Sequence, residues 1–510
     1  MTKGTQIIFA LLSGFLLIIS FPKFGHGIVA WFALVPLLVV LFHVNGREGF
    51  LCGFITGIVF YLGILYWIVF VIVNYGNLPF YIGILALIFL ALYLAFYVAL
   101  FSFVTVYFRE KGISLTSSVP ALWTVLEYIK SHILTGFPWE NLAYSQYAYK
   151  HLIQFVDITG IYGLSFVIAL INVLIAVLWS PKKGKEMVNF WKRSLAIFFV
   201  FLMIYIYGTW RIGEINKVME RAPKMEVSLI QGNIDQSVKW NPEFQEKTLT
   251  IYERLSFLSP VMSKNGLIIW PETAVPFYLQ EFHRGSLRVL DIARRKNVWL
   301  LVGSPAYNRD LKSLNFMNSA YLISPEGQIE GRYDKVHLVP YGEYVPLRQV
   351  FPFINKLVVG VGDFKPGRGY FPLMIKGRPL GILICYEAIF PEASLAYKRK
   401  GTELLVNITN DAWFGKTSAP YQHLSMAIFR AVENRLYLLR AANTGISAIV
   451  DPTGEIKGET PLFVSTLLSG SVCFIDKKTF YMAYGDIFVL LCGGAIFYFI
   501  VTSWRNKHYG

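Results

Sequence analysis

Long apolar runs fill the first 210 positions of the chain, interrupted only by short polar breaks, and then the texture changes. Runs near 6–22, 28–44, 51–73, 80–107, 116–134, 160–179, 194–210 and 484–503 are close to the roughly 20 helical residues that cross a bilayer core. They predict about eight transmembrane helices, the fifth being the weakest because it carries Trp123, Glu127 and Lys130. The first run follows Lys3, lacks a small-x-small cleavage site and leads straight into the second, so it is expected to stay in the mature chain. From 224 to 475 the runs become short and β-branched: Val227 to Gln231, Leu267 to Trp270, Trp299 to Gly303, Ser319 to Ile323, Gly381 to Cys385, Glu403 to Ile408 and Ser447 to Val450. Helical patterns at Phe244 to Ser259, Gly285 to Lys296 and Ala419 to Ala441 alternate with them, and Pro325-Glu326-Gly327 and Pro452-Thr453-Gly454 read as hairpin turns. The expected division is a seven-span bundle over 1–215, one α/β domain over 224–475 and a C-terminal span at 484–503.

Composition agrees with that division. Of 510 residues, 55% are hydrophobic and only 15% charged, against about 25% charged in ordinary soluble domains. The net charge of +15 suits short cytoplasmic loops and anionic lipid. Nucleic acid is not an expected partner, because the basic residues lie in those loops and no nucleic-acid-binding module is present. Arg47, Arg109, Lys111, the basic group from Lys182 to Arg193, and Arg505 with Lys507 put both termini in the cytoplasm. The α/β segment then faces outward, an answer that inverts if the fifth span is lost. The aromatic stretch from Gly136, continuing through Tyr144 to Asp157, reads as an interfacial helix on the outer side or as a connector.

Four cysteines give no disulfide framework. Cys52 and Cys492 lie in apolar runs, where a free thiol packs as a small hydrophobe, and Cys473 sits at the edge of the domain. Cys385 differs, because it ends the run Gly-Ile-Leu-Ile and precedes Tyr386 and Glu387. A thiol at a strand tip can attack a carbonyl if a neighbouring base takes its proton; the alternative is a packing residue. Glu272, after Leu-Ile-Ile-Trp-Pro, fits a base turned into a cleft or a charge in a helix first turn. Lys335 fits an oxyanion stabiliser or a surface salt bridge to Asp334. His337, among apolar neighbours, reads as a structural hydrogen-bonder, and no Cys/His cluster has zinc spacing, so neither metal nor cofactor is expected.

Three segments together resemble the carbon–nitrogen hydrolase (nitrilase) superfamily, and within it the apolipoprotein N-acyltransferases. These are Trp-Pro-Glu-Thr at 270–273, Lys-Val-His-Leu-Val-Pro-Tyr-Gly-Glu-Tyr-Val-Pro at 335–346, and Cys-Tyr-Glu at 385–387. Gln231-Gly232-Asn233-Ile234 with Lys239-Trp240, Asn410-Asp411-Ala412-Trp413-Phe414-Gly415 and Gly136-Phe137-Pro138-Trp139 also fit. The likeness spans the whole chain. It implies an α-β-β-α sandwich fused to the helical bundle, with Glu272 as general base, Lys335 stabilising the intermediate and Cys385 as nucleophile. Glu343 would orient Lys335, Tyr386 and Glu387 would support the nucleophile, and Trp240, Trp413 and Phe414 would contact lipid or gate the cleft. Tyr341 stands where many relatives are expected to carry Phe, which keeps the ring.

The resemblance implies a ping-pong acyl transfer. Cys385 takes an acyl chain from a phospholipid as a thioester and yields it to the N-terminal amine of a diacylglyceryl-cysteine apolipoprotein. The expected setting is the bacterial inner membrane, with a monomer whose catalytic domain faces the periplasm. The apolar segment Leu347 to Phe364 reads as a loop dipping into the interface, or else as a packed lid. A membrane-anchored nitrilase or amidase cleaving a small amide shares the same three residues but leaves so large a bundle unexplained. A transporter with a degenerate domain predicts a missing catalytic residue, and none is missing.

Overall fold

The computed structural model of the 510-residue chain describes residues 1–179, 186–236, 242–281, 283–310, 313–344 and 364–505. The chain divides into two compact units. The first comprises Met1–Val69, Tyr81–Gly213 and Thr479–Gly510; the second comprises Phe70–Phe80 and Glu214–Lys478. The division puts the short stretch Phe70–Phe80 with the α/β unit, where the sequence assigned it to the bundle.

The first unit is helical. Among the described residues, six helices are long and apolar enough to cross a membrane: Lys3–Ser20, Gly46–Leu65, Phe80–Glu110, Val156–Trp179, Trp191–Arg221 and Ile487–Trp504. Helices also stand at the two other expected spans, but with a different character. Gly27–Leu41 is short. Leu115–His132 has 18 residues and turns polar groups inward. Its buried Glu127 accepts from Trp123 Nε1 at 2.9 Å and from the Leu142 N–H at 2.7 Å. A carboxylate there needs such donors, since lipid supplies none. Close packing elsewhere depends on small residues; a Cβ on Gly57 would lie 2.7 Å from Ala95 Cα. The stretch expected as an interfacial helix is not one. It holds only the short helical turns Leu142–Gln146 and Lys150–Ile153, and Trp139, Asn141, Tyr144 and Gln146 are fully buried, so its first half is core, while 147–152 are half-buried or exposed.

The second unit contains twelve described strands: β1 Lys224–Gln231, β2 Leu267–Ile269, β3 Trp299–Asp310, β4 Ser313–Ile323, β5 Ile329–Asp334, β6 Leu373–Ile375, β7 Arg378–Ile384, β8 Leu404–Thr409, β9 Tyr437–Ala442, β10 Ala448–Val450, β11 Ile456–Glu459 and β12 Thr466–Cys473. They form two six-stranded sheets, ordered β12-β1-β2-β3-β4-β5 and β11-β10-β9-β8-β7-β6. The middle of each is parallel: β1, β2 and β3 in one, β7, β8 and β9 in the other. β8 and β9 are buried at every position, and the polar Asn407 and Arg440 within them bond each other. Helices Pro242–Leu258 and Arg284–Lys296 pack on the first sheet, and Pro391–Arg399 and Ala419–Asn434 on the second, giving the α-β-β-α sandwich.

Both Pro-x-Gly turns close hairpins, β4 to β5 and β10 to β11, with Gly327 and Gly454 at φ of 77° and 83°. One helical expectation ran too long. The helix starting at Ala419 ends at Asn434, because Arg435 adopts φ 53° in the left-handed region and the following residues become β9.

Candidate active site

Four of the site's segments leave strands at their C-terminal ends. β2 runs into Trp270-Pro271-Glu272, β5 into Lys335, β7 into Cys385, and β8 into Asn410. β2, β7 and β8 are parallel strands, whose C-terminal ends open as crevices between connections, and β5, antiparallel to β4, delivers Lys335 beside them.

Glu272 sits on a turn pressed against β3. A Cβ on Gly303 would lie 2.4 Å from the Pro271 carbonyl oxygen and 2.5 Å from the Thr273 nitrogen, so only glycine admits the turn. The Glu272 carboxylate accepts from Asn318 Nδ2 at 2.8 Å and from the Asn410 N–H at 2.9 Å, and Lys335 Nζ lies 3.9 Å away. Asn318, on β4, uses the same amide to donate to Glu343 Oε1 at 2.9 Å, tying the two carboxylates together.

Lys335 is buried, and its ammonium meets Glu343 Oε2 at 2.8 Å. Its expected alternative, a surface bridge to Asp334, is not formed; Asp334 pairs with Arg332 at 2.9 Å. Burial works against the Lys335 charge, but the negative charges of Glu343 and Glu272 outweigh it, and the pKa is held above the usual lysine value. Glu343 also accepts from the Val339 N–H at 2.8 Å. The three groups bonding its carboxylate are thus all donors, an arrangement that only an ionised acid satisfies.

Cys385 opens the short 3-10 helix Cys385–Ile389 and has φ 54°. A non-glycine residue stays in that region only when its surroundings enforce it. Glu387 is one enforcer. Fully buried, its carboxylate accepts from Tyr333 Oη at 2.8 Å and from the N–H groups of Val336, His337 and Ile384 at 2.7, 3.0 and 2.7 Å. It therefore staples the loop after Lys335 to the turn at Cys385. Burial pushes its carboxyl up to about 7, with the Ile384 N–H and the Lys335 charge pulling the other way. The Cys385 thiol is pushed well above the usual cysteine range by burial and then by the Glu272 charge, with Lys335 opposing. It therefore rests protonated and needs a base at the moment of attack.

The structure thus gathers Glu272, Lys335, Glu343, Cys385 and Glu387. Tyr386 follows Cys385, half-buried, with its ring 5.0 Å from Phe390. His337 stacks on Phe390 at 3.7 Å, and burial and the Lys335 charge lower its pKa to about 4. Trp413 and Phe414 are half-buried in the 3-10 helix Asp411–Phe414. Trp413 is held by Tyr75, whose hydroxyl donates to the Ala412 carbonyl at 2.8 Å and whose ring lies edge-on at 4.9 Å. Trp240 and the loop 347–363 lie outside the described residues. Among the described residues, no cluster of His, Cys, Asp and Glu could hold a metal ion. Sequence reasoning missed Asn318 and Tyr75 altogether, and no local pattern marks either one.

Two family profiles divide the chain where the structure does. Residues 13–174 match the apolipoprotein N-acyltransferase N-terminal domain, and residues 226–473 match the carbon-nitrogen hydrolases. An apolipoprotein N-acyltransferase from Geobacter metallireducens is 47% identical over 98% of this chain and 95% of its own length. The chain belongs to the apolipoprotein N-acyltransferase family. An apolipoprotein N-acyltransferase from Methylococcus capsulatus is 32% identical over 96% of this chain and 95% of its own. Among solved structures, an amidase of the nitrilase superfamily from Nesterenkonia AN1 covers 53% of this chain and 98% of its own, at 22% identity and a TM-score of 0.38. Full-length likeness to apolipoprotein N-acyltransferases, bundle included, disfavours the small-amide alternative.

Proposed function

We propose that this chain moves a fatty acyl group from a membrane phospholipid to the α-amine of a diacylglyceryl-cysteine apolipoprotein, through a thioester on Cys385. One observation carries the reading. The Glu272 carboxylate, which accepts from Asn318 and Asn410, a buried ammonium and a buried protonated thiol act on one another at the strand ends of an α/β unit, in a chain that also carries long apolar helices.

In the first half-reaction the Sγ–H proton passes to Glu272 as sulfur bonds the ester carbonyl carbon. The carbonyl π pair moves to oxygen, and Lys335 faces that charge. Collapse breaks the ester C–O bond, and Glu272 returns the proton to the departing lysophospholipid alkoxide. In the second, the acceptor amine bonds the thioester carbon, Glu272 removes its proton, and the thiol regains one as the C–S bond breaks. Glu343 holds Lys335 charged, and Glu387 and Tyr386 keep the nucleophile's turn in place. Trp413 and Phe414, with Trp240, supply aromatic surface to the chains. An acyl chain costs about 0.8 kcal/mol per exposed CH₂, which favours a catalyst built into the membrane. The setting is the bacterial inner membrane, with the α/β unit on the periplasmic side and a single chain as the working form.

The test separates amine from water as the final acceptor. With phosphatidylethanolamine and a synthetic diacylglyceryl-cysteine peptide, lysophospholipid and N-acyl peptide should appear in equal amounts. Release of free fatty acid in place of acyl peptide contradicts the reading. Thiol labelling of single cysteines placed in the loops checks the orientation.

A further inference from the structure

Behind Cys385 lies a buried polar cluster to which the mechanism above gives no task. His423, on the helix Ala419–Asn434, points Nε2 at the Cys385 carbonyl oxygen, 3.2 Å away. Asn407 Nδ2 reaches the same oxygen at 3.4 Å but sits closer to the Leu383 carbonyl, at 3.0 Å. On the other side Arg440 Nη2 lies 3.0 Å from the histidine's Nδ1; Asp411 Oδ1, 3.1 Å from the same nitrogen, can bond it only if Nδ1 carries a hydrogen. Arg440 Nη2 also donates to Asp411 Oδ2 at 2.7 Å and Thr409 Oγ1 to Asp411 Oδ1 at 3.0 Å, while Arg440 Nη1 bonds Asn407 Oδ1. All five side chains are buried.

The Cys385 carbonyl and Arg440 select one tautomer, with Asp411 held instead by Arg440 and Thr409. A carbonyl oxygen only accepts, so Nε2 carries the hydrogen, and Nδ1 then accepts from the Arg440 guanidinium. Burial and the Arg440 charge keep the ring neutral, which fits one hydrogen on Nε2. Both ring nitrogens are engaged in the interior, so the ring is not placed to serve as the reaction's base.

The consequence is geometric. A trans peptide is planar, and its N–H points opposite to its C=O. Fixing the Cys385 oxygen inward therefore fixes the Tyr386 N–H outward, beside the sulfur, where the ester oxygen becomes negative during attack. We infer that His423 is a positioning residue for acyl transfer, pinning the Cys385 carbonyl so that the Cys385–Tyr386 peptide presents its N–H to the developing oxyanion. The inference deepens the reading of Cys385 as the nucleophile and rests on it. It also gives the left-handed conformation of Cys385 a purpose: the turn aims sulfur and the next N–H at one carbonyl group.

The test compares two reactions of the same sulfur in the full-length enzyme. Acylation by phosphatidylethanolamine forms an oxyanion; alkylation by iodoacetamide does not. Glutamine places an amide N–H where His423 Nε2 sits, whereas asparagine reaches only as far as Nδ1. In His423→Ala and His423→Asn, acylation should slow by about 10²-fold, the usual effect of a small misplacement of catalytic groups. Alkylation of Cys385, mapped by peptide mass, should stay close to the parent rate. His423→Gln should recover most of the acylation. Equal acylation in the Gln and Asn variants, unchanged acylation in all three, or a parallel fall in alkylation each overturns the inference. If the parent enzyme acquires no acyl group at Cys385, the nucleophile reading itself has failed, and the two outcomes are separable.

Discussion

Glu343→Gln is the substitution from which most can be worked out. The exchange is nearly isosteric, yet every group bonding the carboxylate is a donor: Lys335 Nζ, the Val339 N–H and Asn318 Nδ2. A glutamine amide has one acceptor oxygen and one NH₂, so at least one donor must face another donor. The larger effect is on Lys335, left buried with only Glu272 at 3.9 Å for a carboxylate partner. Removing one member of a buried pair costs about 3–5 kcal/mol. Some of that is recovered if the ammonium shifts toward Glu272 or sheds its proton; either response draws Lys335 away from the substrate carbonyl. Acylation of Cys385 should then slow by about 10²–10³-fold, as when one oxyanion donor is lost. The sign of the pH effect follows. In the parent, Lys335 titrates above the ordinary lysine value of about 10.4, so its charge and the stability it confers persist below that pH and fade as pH rises past it. With Glu343 neutral, burial prevails and the loss moves to lower pH. The assay is the single-turnover rate of acyl-enzyme formation from pH 6 to about 10. A variant profile with no alkaline fall in that range, or a rate near the parent's, refutes the reasoning.

Three further outcomes are expected. Gly303→Ala places a methyl 2.4–2.5 Å from the backbone of the Glu272 turn; it should cost about 1–3 kcal/mol of stability in thermal melts and depress acylation more than Cys385 alkylation. Glu387 titrates near 7 when folded against about 4.3 unfolded, so its contribution favours folding below about pH 4 and declines as pH rises through 7; Glu387→Gln should flatten that slope in melting curves taken from pH 4 to 8, and the donor clash should lower activity at every pH. Tyr75→Phe removes the hydroxyl that holds the Ala412 carbonyl beside Trp413; KM for phospholipid should rise while Cys385 alkylation stays unchanged.

Glu272 and Cys385 were legible because each follows an apolar run at a strand end, whereas Lys335 follows the polar run Glu330 to Asp334 and was legible only through the Lys-Val-His-Leu-Val-Pro segment it opens. The neighbours that give them their chemistry were not. Asn318 lies within an ordinary antiparallel strand, and its amide matters only because Lys335 and Glu343 fold back across it. His423 sits in a helix, 38 residues from the carbonyl it meets. Strand β9 was hidden because Tyr437-Leu438-Leu439 continues the apolar spacing of the preceding helix, and only the left-handed Arg435 separates them. Strand β12, half exposed along most of its length and broken by Gly470, presents neither alternation nor a continuous apolar run. In the bundle, Glu127 and Lys130 weakened the fifth span for a sound reason: that helix turns them inward, where Leu142 and Trp139 supply backbone partners.

The most direct measurement is intact mass of the purified chain after incubation with phosphatidylethanolamine and no acceptor. The account predicts a gain of one acyl group on Cys385, removed by hydroxylamine, absent in Cys385→Ala and much slower to form in Glu272→Gln. An adduct that persists in Cys385→Ala, or forms at the parent rate in Glu272→Gln, contradicts it.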